Sequence, residues 1–210
     1  MSDTWMLADA MRSEGVAGRR VADLCTGTGA LAISAAQAGA ESVTAVDLTR
    51  RAALCALVNS RLNRARVDVK RGDLFGPLTD ARFDVIVSNP PYIPAESDDL
   101  PRRGPTIPLD AGRNGRVLLD RICREAFDHL LPGGAVLVVH SSICGTAQTV
   151  KAFNRAGLAA DVVVREPGRL GPVMTARAQM MRERGLLGPE DVEEIVVVRG
   201  RLAERLVSPA

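Results

Sequence analysis

Seven short runs rich in β-branched residues, at 20–25, 42–47, 66–71, 83–88, 135–140, 159–165 and 194–199, alternate along the chain with segments of helical periodicity. Both kinds of element can bury their apolar sides together only as a mostly parallel sheet with helices on both faces, so the expected fold class is α/β. The helical segments fall at 30–37, 51–63, 116–130 and 146–155, with Gly39 and Gly157 just past the first and last, where a left-handed residue closes a helix. A further helix over 4–12 precedes the first strand, and Asp3 is placed to cap it. A chain of 210 residues buries about 70% of its unfolded surface around one core, so a single domain over 1–210 is expected.

Two segments break this rhythm. Residues 93–115 carry Pro94, Pro101, Pro105 and Pro108 among mixed charges, and a connection of that length reads as a functional, substrate-side loop. Residues 168–189 form an insertion between the last two strands. Val173 and Met180, and Met174 and Met181, recur there seven apart, with Pro172 suited to a first helical turn and Gly185 to its end. The plain reading is an extra amphipathic helix covering the sheet edge, with a lid or partner-binding helix as the alternative.

Composition excludes some classes. No window approaches the roughly 18 uninterrupted apolar residues of a membrane-spanning helix, and the N-terminus lacks the basic and apolar regions of a secretion signal, so a cytoplasmic location is the default. Cys25, Cys55, Cys123 and Cys144 are far apart, without a CxxC pair, and only His129 and His140 accompany them; they read as reduced thiols, and no metal site is expected. Of 27 basic residues only Lys70 and Lys151 are lysine, but the arginines are scattered and nearly matched by 25 acids. That balance argues against a dedicated nucleic-acid surface, although Arg50-Arg51 and Arg102-Arg103 could meet phosphates.

The first strand ends in Asp23-Leu24-Cys25-Thr26-Gly27-Thr28-Gly29 and a helix opens at Ala30. Gly27 and Gly29 allow positive φ and close approach of a ligand to backbone, and the helix start offers free N–H groups. Gly27-Thr28-Gly29-Ala30-Leu31-Ala32 also fits the GxGxxA form of a dinucleotide loop, so the glycines alone do not name the ligand. Three acids weigh against a dinucleotide. Asp23 would sit badly beside a pyrophosphate but well beside the ammonium of a methionine moiety, which favours S-adenosylmethionine. Asp47, ending the second strand, can accept both hydroxyls of a ribose. Asp73, after the third strand, suits an adenine amino group, with Leu48 and Leu74 to flank the ring.

The fourth strand runs into Asn89-Pro90-Pro91-Tyr92 at the carboxyl edge of the sheet, where open α/β folds bind ligands. The two prolines stiffen the backbone and present carbonyl acceptors. The Asn89 side-chain oxygen and the Pro90 carbonyl can then accept the two hydrogens of one planar NH2 group, and Tyr92, the only tyrosine, can stack on that group. An amide or aromatic amine is a poor nucleophile, and gripping both hydrogens orients its nitrogen for in-line attack on a sulfonium methyl. No cysteine, histidine or carboxylate is needed as nucleophile.

With these residues in view, the chain resembles the class I S-adenosylmethionine-dependent methyltransferases, and within them the protein-(glutamine-N5) methyltransferases of peptide-chain release factors. Ser2-Asp3-Thr4-Trp5-Met6-Leu7 is similar to their short acidic-threonine helix, Asp110 to Arg116 to their glycine motif after the substrate loop, and Leu131-Pro132-Gly133-Gly134 to the turn before strand five. The resemblance implies a Rossmann-like sheet of order 3-2-1-4-5-7-6 with strand seven antiparallel. It places Thr4, Asp23, Cys25, Gly27, Asp47, Asp73 and Leu74 at cofactor positions and Asn89 at the acceptor site; Thr26 and Gly29 join the cofactor set as parts of the same loop. The implied substrate is a protein glutamine, as in the GGQ tripeptide of a release factor.

This chain departs from that pattern in three places. Cys25 stands where many members have glycine. Some relatives need a zinc-binding activator that extends the third-strand edge, but Arg66-Val67-Asp68-Val69-Lys70 alternates charges there, so no obligate activator is expected. The 168–189 segment is longer than the corresponding hairpin. Adenine-N6 methylation of DNA or RNA, or methylation of a small molecule, remains the alternative, because NPPY grips an aromatic amine as readily as an amide. Only six aromatics, counting one Trp, one Tyr and four Phe, are available for base stacking. A nicotinamide-dependent oxidoreductase and a non-catalytic module are disfavoured by Asp23 and by the intact NPPY.

Overall fold

A computed structural model describes residues 3–101 and 103–204; Ser2 and Arg102, named above, lie outside them. The sheet contains β1 (Arg20–Leu24), β2 (Ser42–Asp47), β3 (Asp68–Arg71), β4 (Phe83–Ser88), β5 (Leu130–Ser141), β6 (Ala159–Arg169) and β7 (Val192–Arg201) in the order β3-β2-β1-β4-β5-β7-β6. The first five strands are parallel and β7 runs antiparallel to both neighbours. The α/β expectation and the implied strand order both hold.

Strand alternation divides the core into two layers. Val21, Val85, Val87, Leu137 and Val139 point to the face covered by α1 (Asp3–Glu14) and α2 (Ala30–Gln37). Their neighbours Ala22, Leu24, Ile86, Val136 and Val138 point to the opposite face, where α4 (Val117–Glu125) and α5 (Thr146–Arg155) pack. The helix α3 (Arg50–Leu62) lies beside β2 and β3 and leaves Leu54, Val58 and Leu62 exposed. No helix among the described residues is long and apolar enough to cross a membrane.

Element boundaries differ from expectation where geometry intervenes. β1 stops at Leu24 because Cys25 takes φ 57°, outside any strand conformation. β5 begins at Leu130 rather than 135, since the Leu131-Pro132-Gly133-Gly134 turn is looped out as a register shift between the pairs Phe83↔Leu130 and Val85↔Ala135. Gly133 has φ 77° there, and a Cβ on Gly134 would lie 2.8 Å from the Leu131 carbonyl oxygen. The expected 116–130 helix ends at Glu125 and continues as a 3-10 turn to His129. Asp3 does not stand ahead of α1 as a cap; it is the first described helical residue, and its carboxylate accepts the Tyr92 hydroxyl.

The insertion is the main correction. Instead of one helix over the sheet edge it forms two short ones, α6 (Pro172–Ala176) and α7 (Ala178–Glu183), separated at Arg177. β6 and β7 run on together as a hairpin to the pair Arg169↔Val192 and carry this segment over the carboxyl end of the sheet. There Leu170, Met174, Ala178, Met181 and Leu187 form a satellite cluster with Ile143, against which Tyr92 and Ile93 pack. Arg177 donates to the Pro94 carbonyl at 2.8 Å and to Asp110 at 2.7 Å; Arg184 donates to the carbonyls of Ala95 at 2.6 Å and Arg113 at 3.1 Å. The insertion thus holds the 93–115 loop, whose ends are also joined by Ile93 N–H to Leu109 at 3.0 Å and Ala111 N–H to Ile93 at 3.1 Å.

One buried cation ties this end of the molecule together. Arg116, only 4% exposed, donates to the Cys144 and Gly145 carbonyls, to the Thr149 hydroxyl at 3.1 Å and to Asp120. Arg116→Met removes those donors and leaves buried acceptors unpaired, so a loss of about 3 kcal/mol is expected. Urea unfolding checks it, as a lower midpoint at unchanged m value.

Candidate active site

The glycine turn is shaped by two carboxylates. Asp23 is fully buried, and its Oδ2 accepts from the Thr26 hydroxyl at 2.5 Å and from the Ala32 N–H at 3.1 Å. The other oxygen, Oδ1, is buried without a partner among the described residues, an acceptor suited to a cationic donor. Asp47 accepts from the Gly27 N–H at 3.0 Å through Oδ2 and from the Thr49 N–H at 2.9 Å through Oδ1, and Thr49 in turn caps α3. Asp47 therefore organises the loop as well as facing it. Gly29, at φ 85°, packs so closely on α3 that a Cβ would lie 3.1 Å from the Ala56 Cα.

Burial and neighbouring acids both oppose ionisation in this turn. The Asp23 carboxyl is raised to about 7, mainly by desolvation, with Thr26 and Ala32 opposing and Asp47 adding to the rise. The Cys25 thiol is pushed up to about 12 by burial first, then by Asp47, with further contributions from Asp23 and Asp73. The coulombic share of these shifts, from Asp47, Asp23 and Asp73, disfavours a further anion such as a pyrophosphate here.

The third-strand turn completes this side. Gly72 N–H donates to the Asp47 carbonyl at 2.9 Å, fixing Asp73 and Leu74 next to the second strand. Leu74 is buried and has φ 46°, so two of the three described non-glycine residues with positive φ, Cys25 and Leu74, stand at positions expected to meet a ligand. Strain of this kind concentrates at functional sites. At Cys25 this is a backbone conformation that glycine adopts without strain. Leu48 is half exposed. Asp73 is gripped by Arg121 through both oxygens, at 3.1 and 3.0 Å, a partner not foreseen from the sequence.

NPPY emerges beside the glycine turn. Ser88 Oγ donates to the Leu24 carbonyl at 2.8 Å, locking the ends of β4 and β1. Asn89 Nδ2 donates to Thr4 Oγ1 at 3.0 Å, which turns Oδ1 away from α1 and leaves it available as an acceptor. Thr4, expected at the cofactor, is the hydrogen-bond partner of this asparagine. Tyr92 is fixed at both ends: its hydroxyl donates to Asp3, and its carbonyl accepts from Cys144 Sγ at 3.0 Å. Burial, with Asp3 next, pushes the phenol far above its usual range. Gly115 leaves room for this arrangement, since a Cβ there would lie 2.3 Å from the Tyr92 carbonyl oxygen. A cavity of about 400 Å³ borders Tyr92, walled by Asp3, Met6, Met174, Glu193 and Ile195.

Asp3, Gly115, Cys144 and Arg121 thus join the site without having been singled out for it. Asp3 and Gly115 lay in segments already noted for other reasons; Cys144 and Arg121 had no local signal at all.

Comparison with known proteins agrees with this geometry. A family model described as the methyltransferase small domain matches residues 2–100. A protein provisionally named N5-glutamine methyltransferase from Methanocaldococcus jannaschii is 32% identical over 150 residues, covering 71% of this chain and 76% of that one. The ribosomal protein uL3 glutamine methyltransferase of Bradyrhizobium diazoefficiens is 43% identical over 125 residues, 56% of this chain and 39% of its own length. The release factor glutamine methyltransferase of Geobacter sulfurreducens is 34% identical over 164 residues, 75% of this chain and 57% of its own. This chain therefore spans about half the length of these two bacterial relatives. Among solved structures, the Mtq2–Trm112 complex of E. cuniculi, responsible for methylation of the eRF1 termination factor, superposes with a TM-score of 0.64 at 20% identity. It covers 96% of this chain and 95% of the other. The T. thermophilus 16S rRNA N2 G1207 methyltransferase, solved with AdoMet and guanosine, gives 0.61 at 22% identity over 96% of this chain and 43% of its own. The chain belongs to the protein N5-glutamine methyltransferase family and has the class I methyltransferase fold.

Proposed function

We propose that this protein methylates the side-chain amide of a glutamine in a protein substrate, with a peptide-chain release factor as the first substrate to test. The observation that carries this reading is the Asn89 amide, whose Nδ2 is held on Thr4 Oγ1 at 3.0 Å so that its oxygen stays available, with the neighbouring Pro90 carbonyl as the second acceptor we assign. Two acceptors so placed take both hydrogens of a primary amide and hold its nitrogen lone pair in one direction. When bound, S-adenosylmethionine supplies the electrophilic methyl of its sulfonium. Asp23, Cys25, Thr26, Gly27, Gly29, Asp47, Leu48, Asp73 and Leu74 are the residues we assign to hold it, Asp23 through its remaining oxygen and Asp73 toward the adenine. The unpartnered Asp23 oxygen supports the assignment. Tyr92, pinned by Asp3 and Cys144, acts as a fixed wall beside the acceptor rather than as a mobile stacking ring. We also propose that the protein works without an activator. Exposed Leu54, Val58 and Leu62 on α3, beside the β3 edge, are the surface that weighs against that, so turnover by the purified chain alone is the deciding measurement.

Label transfer from S-adenosylmethionine separates the substrates. Incorporation is expected into a release factor with a GGQ tripeptide and to vanish when its glutamine is replaced by alanine. Label entering adenine-containing nucleic acid instead would overturn the glutamine assignment. Asn89→Ala is expected to lower kcat roughly a hundredfold or more by releasing the amide, with cofactor Kd changed by no more than a few-fold. Thr4→Val should lower kcat about tenfold through loss of one orienting hydrogen bond and leave cofactor Kd in place. A cofactor-binding Thr4 would show the reverse pattern in calorimetry.

The raised Asp23 carboxyl sets a pH dependence. Between about pH 4 and 7 the folded protein holds a proton that the unfolded chain has released, so this group's contribution to stability declines as pH rises through that window. His140, lowered to about 4 chiefly by burial, works in the opposite sense, its contribution being lost as pH falls below 6.5. In Asp23→Asn the first slope disappears while the histidine contribution stays. Thermal unfolding from pH 4 to 8 reads the difference, and an unchanged profile would remove Asp23 from this role.

A further inference from the structure

Arg121 lies on α4, outside every segment assigned to the cofactor, yet it reaches across to the third-strand turn. Its two terminal nitrogens donate to the two oxygens of Asp73 at 3.1 and 3.0 Å, a parallel, two-pronged pair between residues 48 apart in sequence. The side chains are 29% and 51% exposed. An ion pair so open contributes little to stability, so folding does not account for its geometry. What such a fork does is set the plane of the carboxylate. The bases of both residues are already fixed, because Leu118, Leu119 and Ile122 of the same helix share a core with Leu74, Phe75 and Leu78 of the turn. Helix and turn therefore present Arg121 and Asp73 to each other in one register.

We infer that Arg121 is a positioning residue for adenine recognition: it holds the Asp73 carboxylate in one orientation so that its remaining lone pair accepts from the 6-amino group. This rests on the assignment of Asp73 to the adenine. A carboxylate held by a guanidinium offers acceptors only. It therefore selects a purine with a hydrogen-bond donor at position 6 and disfavours one with a carbonyl there, which would set two acceptors against each other. Without Arg121, Asp73 is an exposed side chain free to rotate, and the selection weakens without any change at Asn89.

Calorimetric titration of the purified chain with S-adenosylhomocysteine and with S-inosylhomocysteine, the 6-oxo analogue, tests this. The wild-type protein is expected to bind the adenine form at least about tenfold more tightly. Arg121→Gln should cut that preference to about threefold or less, mainly by weakening the adenine form. It should raise KM for S-adenosylmethionine while kcat stays unchanged. Arg121→Lys, which keeps the charge but not the fork, should fall with Arg121→Gln. A wild-type preference in Arg121→Gln or in Arg121→Lys, while Asp73→Asn loses it, would overturn the role of Arg121 or of its fork and leave Asp73 in place. A wild-type preference retained by Asp73→Asn, or no preference in the parent protein, would overturn the Asp73 assignment itself.

Discussion

The pairing of Leu24 with Ser88, at the carboxyl ends of β1 and β4, is the constraint on which the site depends. From this pair the chain leaves in opposite directions, β1 toward β2 and β4 toward β5, and opens the crevice in which α/β sheets bind ligands. The Ser88 hydroxyl on the Leu24 carbonyl fastens the two ends at the point of divergence. Because strand side chains alternate with period two, a slip of one residue would exchange the two core layers and carry Asn89 away from the glycine turn. Burial on both faces of the sheet excludes that slip, so the packing that stabilises the fold also sets the spacing between cofactor loop and acceptor site.

Around that crevice the structure concentrates what a core normally avoids. A fully buried carboxylate, a thiol under a left-handed backbone and a second left-handed residue at Leu74 lie within one set of turns. Each is unfavourable by itself, and the turns that carry them are tied by hydrogen bonds: Thr26 and Ala32 donate to Asp23, Gly27 donates to Asp47, and Arg121 pairs with Asp73. The surrounding sheet supplies the rigidity that lets these conformations persist. The result is a pocket rim preorganised in shape.

Much of this was legible in the sequence. The strands at 42–47 and 83–88 and the helices at 30–37 and 146–155 match the structure residue for residue, because their apolar periodicity is strong and their ends carry turn residues. The strand order was not readable from periodicity and came from the family resemblance. The glycine turn and NPPY were legible because their chemistry is local. The side chains that hold them were not: Tyr92 and Asp3 are 89 positions apart, and Cys144 lies 52 from Tyr92. Such contacts leave no mark in any window of sequence. The insertion misled for a related reason, since its methionines repeat with helical spacing, but Arg177, drawn to Pro94 and Asp110, interrupts the helix they would form.

The satellite cluster under α6 and α7 is small, separate from the two main layers, and joined to the 93–115 loop chiefly through two arginines. A patch with so few apolar contacts and so many exposed polar ones belongs to the low-energy end of local opening, well below the free energy that unfolds the sheet. Amide exchange would then occur in two tiers, fast for this lobe and slow for the strands beneath. The acceptor side is thus free to breathe around a protein chain while the cofactor side stays closed, and the lobe can diverge between species without disturbing the sheet that carries it.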